Sequence, residues 1–387
     1  MRIISRTVLI LSVVSLFADI ASEMLYPVIP VYLKEIGFTV VWIGLLEGLV
    51  NFTSGISKGY FGKLSDEKGL RLPFVKLGYF LSNISKPLLA AFVYPIWIFF
   101  VRTIDRLGKG VRTAARDAIL SQEATKETKA RVFGFHRSMD TAGATIGPVI
   151  ALVFLFFYPG QYKTIFLLAF IPGIISILLV FLLKEKKQPA STLAKGNFFS
   201  YFRYWNIASP EYKKIVVGLL LLALFNSSDI FLLLKIKEIT GSDITTIATY
   251  IFYNFVFAAA SYPLGALADK LGIKRIFIIG LILFTIVYGG FALDPSVAII
   301  FILFLLYGLF AAATEGVTKA WITNIAHNQN TATALGFYTS CESICTLFAS
   351  IIAGFIWSRL GSSYAFGSTA FISLLVIFYF LLRIKKP

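Results

Sequence analysis

Histidine and cysteine are almost missing from this chain: its 387 residues include two of each. That rules out a disulfide-stapled scaffold and leaves few soft ligands for a metal centre. Cys341 and Cys345 lie one turn apart in an apolar stretch and read as small packing residues. Charge is scarce too. Asp, Glu, Lys and Arg make up 14% of the chain, against about 25% in a soluble domain. No G-x-x-x-x-G-K-[ST] stretch occurs, which argues against ATP-driven work. Nor is there a Ser-His-Asp set or a ligand cluster of recognisable spacing, so neither enzymatic chemistry nor a cofactor is expected.

What the chain does have is apolar length. It is 57% hydrophobic with 38 phenylalanines, and its mean hydropathy is +0.80. About 20 apolar residues cross a bilayer as a helix, and twelve stretches qualify: 8–33, 40–62, 73–93, 96–121, 130–158, 163–183, 214–237, 244–267, 275–293, 297–324, 331–357 and 363–382. Arg2 and Arg6 before the first stretch mimic a secretory signal. The stretch is too long for one, is interrupted by Asp19 and lacks a small-x-small cleavage site, so it reads as the first span. The expected fold is an all-α membrane protein.

The net charge of +16 is not gathered in a nucleic-acid patch. It recurs between spans, at Lys63–Lys76, Lys126–Arg131, Lys184–Lys214, Lys270–Arg275 and Arg383–Lys386. With twelve alternating spans these clusters share one side, which the positive-inside rule makes the cytoplasm, together with both termini. The opposite loops hold only Lys34, Lys163, Lys235, Lys237 and Arg359. The expected location is the inner (cytoplasmic) membrane.

The chain also repeats itself. YLKEIG at 32–37 matches KIKEIT at 235–240, GKLSDEKG at 62–69 matches GALADKLG at 265–272, and FGFHRSMD at 133–140 matches LGFYTSCE at 335–342. The expected organisation is a six-helix bundle over residues 1–183, a polar linker over 184–213 and a second bundle over 214–387. Duplicated halves that rock about a central site are a transporter architecture.

Charge inside spans costs roughly 2.5–3.5 kcal/mol per residue and marks ion paths or binding sites. Asp19 and Glu23 are one turn apart in the first span and share a face. Glu47 stands between Gly44 and Gly48 in the second. In the fourth, VRTIDRLGKGVRTAARDAIL, residues Arg102, Asp105, Arg106, Lys109, Arg112 and Arg116 fall within an arc of about 120°. Structural pairing and substrate contact are equally open for Arg102, Arg106 and Lys109. Arg112 and Arg116 approach the cytoplasmic end, where they snorkel or bind a latch. In the fifth span His136 and Asp140 are one turn apart, a pair that could titrate near neutral pH, and His136 reads alternatively as a satisfied buried hydrogen bonder. Asp229, Glu315, Lys319 and Glu342 lie within later spans, where Asn226, Tyr250, Asn254 and Trp321 are candidates for lining a cavity.

The loop after the second span places Gly62, Leu64, Asp66, Gly69 and Arg71 at the spacing G-x-L-x-D-x-x-G-x-R. Half a chain later Gly265, Leu267, Asp269, Gly272 and Lys274 repeat it. Here the chain resembles the major facilitator superfamily. The resemblance implies two pseudo-symmetric six-helix bundles and a cytoplasmic gate formed by these residues. Physically, the glycines allow a tight turn, and the aspartate accepts hydrogen bonds from helix ends and basic groups. Glu67 departs from the family's usual basic residue. Two further elements resemble the twelve-helix drug–proton antiporters: Pro27 and Pro30 in PVIP, and Gly143, Gly147 and Pro148 in G-x-x-x-G-P. The second implies close packing of the fifth span on the eighth, although Ala151 and Leu152 replace the usual glycines. Arg102 stands where relatives carry an arginine thought to influence proton transfer.

Together these readings predict a secondary active transporter, specifically a proton-coupled exporter of small amphipathic compounds or metabolites working by alternating access. Asp19, Glu23, Glu47, His136 and Asp140 would carry protons. Arg102, Asp105, Arg106 and Lys109, with the later-span residues above, would contact substrate. The expected partners are a small molecule, protons and the bilayer, acting on a monomer without nucleic acid. The alternative is a transporter of an organic anion such as an organic acid, phosphate ester or siderophore, motivated by the basic face of the fourth span. A metal-ion exporter and a lipid flippase are remoter alternatives.

Overall fold

The structure, a computed structural model, describes residues 4–26, 28–38, 40–187, 189 and 197–384. The side chains of residues 30–31, 40–41, 43–45, 47–49, 51 and 243–244 lie outside that description. The described residues form helices α1 (Arg6–Glu23), α2 (Val28–Glu35), α3 (Val40–Lys68), α4 (Leu72–Ala91), α5 (Pro95–Gln122), α6 (Lys129–Phe157) and α7 (Tyr162–Val180). After a 3-10 turn at Phe198–Arg203 come α8 (Tyr204–Ile207), α9 (Pro210–Ala223), α10 (Ile230–Thr240), α11 (Asp243–Leu271) and α12 (Ile273–Phe291). The last three are α13 (Val297–Ile325), α14 (Thr331–Leu360) and α15 (Ser362–Arg383). Seven helices among the described residues are long and apolar enough to span a bilayer by themselves.

Helix starts follow the sequence. Ser5 accepts from the Val8 N–H to cap α1, and Ser209 accepts from the Tyr212 N–H to cap α9, with Pro210 in the first turn. Gly69 and Gly272 take positive φ (62° and 99°) in the two motif turns, a conformation that costs any other residue strain.

Two expected spans are not single helices. The first, 8–33, stops at Glu23 and restarts at Val28. The seventh, 214–237, stops at Ala223 and restarts at Ile230. At the first interruption Pro27 falls in sequence between the two helices, at a point where proline would disfavour αR in its predecessor, whereas Pro30 lies within α2. In the second, the polar run Asn226–Asp229 supplies side chains that compete with helical hydrogen bonds, as where Ser228 Oγ accepts from the Ile230 N–H. The shift that carries Gly62 to Gly265 carries residues 24–27 to 227–230, so the interruptions are themselves a repeated feature.

Packing divides the chain into two compact units. The first comprises residues 1–123, 139–204 and 327–340, and the second 124–138, 205–326 and 341–387. In the first, α1, α2 and α7 bury a cluster that includes Met24, Tyr32, Leu33 and Phe166. In the same unit α4 and α5 meet backbone to backbone. A Cβ on Gly78 would stand 2.6 Å from the Gly108 carbonyl oxygen, and a Cβ on Gly108 would stand 2.7 Å from that of Gly78. This contact brings the charged face of α5 against α4. In the second unit the core is aromatic: Phe277, Phe284, Tyr288, Tyr307 and Phe380 are almost fully buried.

Candidate functional site

The first unit gathers charge in two places. At one, Asp105 of α5 is held from α4: Lys86 Nζ is 2.7 Å from Oδ1 and Ser82 Oγ donates to the same atom at 2.7 Å. Arg102 lies 3.6 Å from Oδ2, and Arg106 is within electrostatic range. Lys86 and Asp105 are nearly sealed from solvent, at 1% and 8% exposure. Asp105 thus stands as one carboxylate among three cations, Lys86, Arg102 and Arg106, and meets the basic face of α5 only in part.

At the other, Asp19 (α1) and Asp140 (α6) lie within electrostatic range of each other where α6 packs on α1. Ser15 Oγ donates to Asp140 Oδ1 at 2.5 Å, and Arg116 donates to that Ser15 hydroxyl at 3.1 Å while standing 3.9 Å from Asp140. Asp117 holds Arg116 from its other side at 3.0 Å. Lys109 and Glu23 are within electrostatic range of Asp19. Arg116 therefore belongs to this buried cluster and not to the gate, because its side chain turns inward to Ser15. Arg112 also leaves the expected gate: its guanidinium stacks over Tyr79 at 4.4 Å. Glu47 and Pro30 have side chains outside the described set, and Pro27 lies outside the described residues.

The second unit pairs carboxylates with aromatic rings. Tyr307 donates its hydroxyl to Asp229 at 2.5 Å and stacks on Tyr253 at 5.0 Å. Tyr250 lies 6.4 Å from Tyr253, and Asn254 donates its side-chain amide to the Tyr250 carbonyl at 3.0 Å. Glu315 meets Arg137 of α6 at 2.6 Å. Asn226 sits in the break between α9 and α10, and Glu342 is half-buried on α14. His136 is buried on α6. Trp321 does not line this group. It is 7% exposed and packs on Phe277 and Phe380 at 5.6 and 5.7 Å, making it a core residue.

The two motif loops do the same thing twice. In the first unit Asp66 Oδ2 accepts from the Thr333 N–H at 2.7 Å and from its hydroxyl at 2.9 Å, at the start of α14. Arg71 binds Asp66 Oδ1 and the Ala118 carbonyl, both at 3.1 Å. In the second unit Asp269 accepts from the Ala130 and Arg131 N–H groups at 3.0 and 2.9 Å, at the start of α6. Each aspartate thus occupies a helix N-terminus, where unpaired N–H groups and the helix dipole favour an anion. Burial pushes the Asp66 carboxyl up to about 6, against the pull of Arg71 and Thr333. Around it a Cβ on Gly62 would stand 2.5 Å from the Ala332 carbonyl oxygen, so this contact tolerates no side chain at that position.

The sequence model of the Major Facilitator Superfamily matches residues 11–252 and 215–387. The chain belongs to this superfamily. An uncharacterized MFS-type transporter of Methanocaldococcus jannaschii is 33% identical over 362 residues, covering 92% of this chain and 89% of that one. A multidrug resistance efflux pump PmrA homolog of Lactococcus lactis is 23% identical over 383 residues, covering 94% and 92%. Among solved structures, the human organic anion transporter MFSD10 superposes with a TM-score of 0.83 at 15% identity, covering 97% of this chain and 99% of that chain. The Escherichia coli fucose:proton symporter FucP gives 0.76 at 13%, covering 98% of each. The protein is a multi-pass membrane transporter, not an enzyme, and its fold is the superfamily's.

Within that fold the G-x-x-x-G-P element has a different partner from the one the resemblance implied. A Cβ on Gly143 would stand 2.5 Å from the Leu16 carbonyl oxygen, and one on Gly147 would stand 2.8 Å from that of Ile20. The element therefore seats α6 on α1 and brings Asp140 to Asp19. The close approach of α6 to α11 is made by other glycines: Gly134 abuts the Ser261 carbonyl and Gly265 abuts that of Ala130. Three functional groups escaped the sequence reading. Lys86 was hidden as a single charge in an otherwise ordinary span, though its position before Pro87 in an apolar run was a usable signal. Ser15 carried no signal. Arg137, beside His136, is legible in the sequence as a further intramembrane charge.

Proposed function

We propose that the protein is a proton-coupled exporter of small amphipathic compounds. The reading rests chiefly on the carboxyl pair of Asp19 and Asp140. Two buried carboxyl groups this near each other favour a proton on one of them, because two bare carboxylates repel. Arg116, through Ser15, offers the compensating charge when that proton leaves. A site that changes charge by one unit while enclosed between α1 and α6 has the chemistry of a proton carrier. Glu23 and Lys109 shape the field around it. The efflux-pump relative is consistent with export.

The organic-anion reading draws on the basic face of α5 and on the name of the human structural neighbour. The pairing of Asp105 with Lys86 and Arg102 neutralises that face only in part, since one carboxylate stands among three cations there. We place the protein as a monomer in the cytoplasmic membrane with both termini inside, driven by the proton gradient without a cofactor. The test is proton movement in liposomes containing the purified protein and an internal pH dye, challenged with anions and with lipophilic cations. Solute-linked flux that vanishes in Asp19→Asn supports the reading. Flux that persists unchanged in that variant contradicts it.

A further inference from the structure

The second unit contains the makings of a cation site with one of the protein's own side chains in it. Arg137, from the start of α6, sets its guanidinium 2.6 Å from Glu315 of α13 and over the ring of Phe257 of α11 at 5.0 Å. A carboxylate on one side and an aromatic face on the other are the two contacts by which proteins hold organic cations. The wall continues. Tyr253 lies 5.9 Å from Phe257 and stacks on Tyr307, whose hydroxyl engages Asp229. Asp229 is within electrostatic range of both Glu315 and Arg137.

This pair differs from a structural one. Lys86 and Asp105 are shut in at 1% and 8% exposure, whereas Arg137 and Glu315 are open at 29% and 43%. A pair exposed to that extent in a transporter helix can exchange partners. We propose that Glu315 and the face of Phe257 now covered by Arg137 form the binding site for a compact organic monocation with an apolar body, backed by the buried Tyr253–Tyr307 stack, and that Arg137 is its internal occupant, displaced when the cargo's charged nitrogen takes Glu315. The inference rests on the exporter reading and names its substrate class. Exchange of one cation for another keeps Glu315 paired throughout, while the displaced Arg137 guanidinium remains within electrostatic range of Asp229. An organic anion is disfavoured here, since it would meet Glu315 and Asp229 as well as a guanidinium already engaged.

The test is equilibrium binding of ethidium to the purified full-length protein in nanodiscs, with no gradient. Arg137→Gln is expected to tighten binding about tenfold by freeing Glu315, and Glu315→Gln to weaken it about tenfold. Unchanged or weaker ethidium binding in Arg137→Gln overturns the proposal. So does loss of benzoate binding in that variant with ethidium unaffected, because Arg137 would then be an anion receptor. A second measurement needs no variant: phenylglyoxal labelling of Arg137, read by mass spectrometry, should rise when ethidium saturates the unaltered protein. Labelling that does not change overturns the displacement. Because binding is read without a proton gradient, intact ethidium binding alongside absent proton flux removes the coupling assignment and leaves the site. Normal flux with no effect of either variant on ethidium removes the site and leaves the coupling.

Discussion

The two units handle intramembrane charge in opposite ways. In the first, Asp105 is answered by Lys86 and Arg102, and Asp140 by Ser15 and Arg116. In the second, Asp229 is answered by a tyrosine hydroxyl and Glu315 by an arginine that is itself partly open. Closed pairs fix charge in place, while open ones leave it available to exchange. On the proposed reading, proton handling belongs to the first unit and cargo recognition to the second, on helices whose sequences repeat.

The largest effect should come from the carboxyl pair. Asp140→Asn removes the group that Ser15 and Arg116 both serve, and solute-linked proton flux in liposomes should drop to the rate of protein-free vesicles. Next is Lys86. Lys86→Met leaves Asp105 with only the more distant Arg102 and Arg106, and breaking a buried pair costs about 3–5 kcal/mol. Thermal unfolding of the detergent-solubilised variant should show that loss, and adding Asp105→Asn should recover most of it.

The gate gives a smaller, pH-dependent effect. Asp66 has a carboxyl held up to about 6 when docked on α14, against an ordinary value of about 3.9 in water. The docked form therefore binds the proton more readily. Docking is favoured as pH falls through 6 and disfavoured as it rises, by about tenfold in population between pH 5 and pH 8. Distance measurements between labels on α3 and on residues 327–340 should follow that trend, and Asp66→Asn should flatten it. Smallest is Lys186→Ala. Its pair with Glu123 is 69% exposed on the lysine side, so the stability change should stay below about 0.5 kcal/mol in the same unfolding assay.

The fold was legible because membranes force it. Apolar length, loop charge and a doubled G-x-L-x-D-x-x-G motif are one-dimensional signals, and the motif's chemistry carried through: Asp66 and Asp269 do bind helix starts. Pairings within spans were less legible. Arg112 and Arg116 sit at the same end of α5 by sequence, yet one stacks on Tyr79 and the other turns inward to Ser15. A helical wheel gives a side chain's angle and depth, not the neighbour it meets. The glycines of the fifth span show the same limit. Their spacing announces a close contact, but only the packed structure separates α1 as the partner of Gly143 and Gly147 from α11 as the partner of Gly134. Trp321 read as a cavity residue because large aromatics are common to binding sites and cores alike.

The division of labour is tested most directly by measuring proton flux and ethidium binding on the same two variants. The account predicts that Asp140→Asn abolishes flux while binding ethidium normally, and that Glu315→Gln binds ethidium about tenfold more weakly with the Asp19–Asp140 pair untouched. Equal loss of both activities in both variants, or full proton flux in Asp140→Asn, would contradict it.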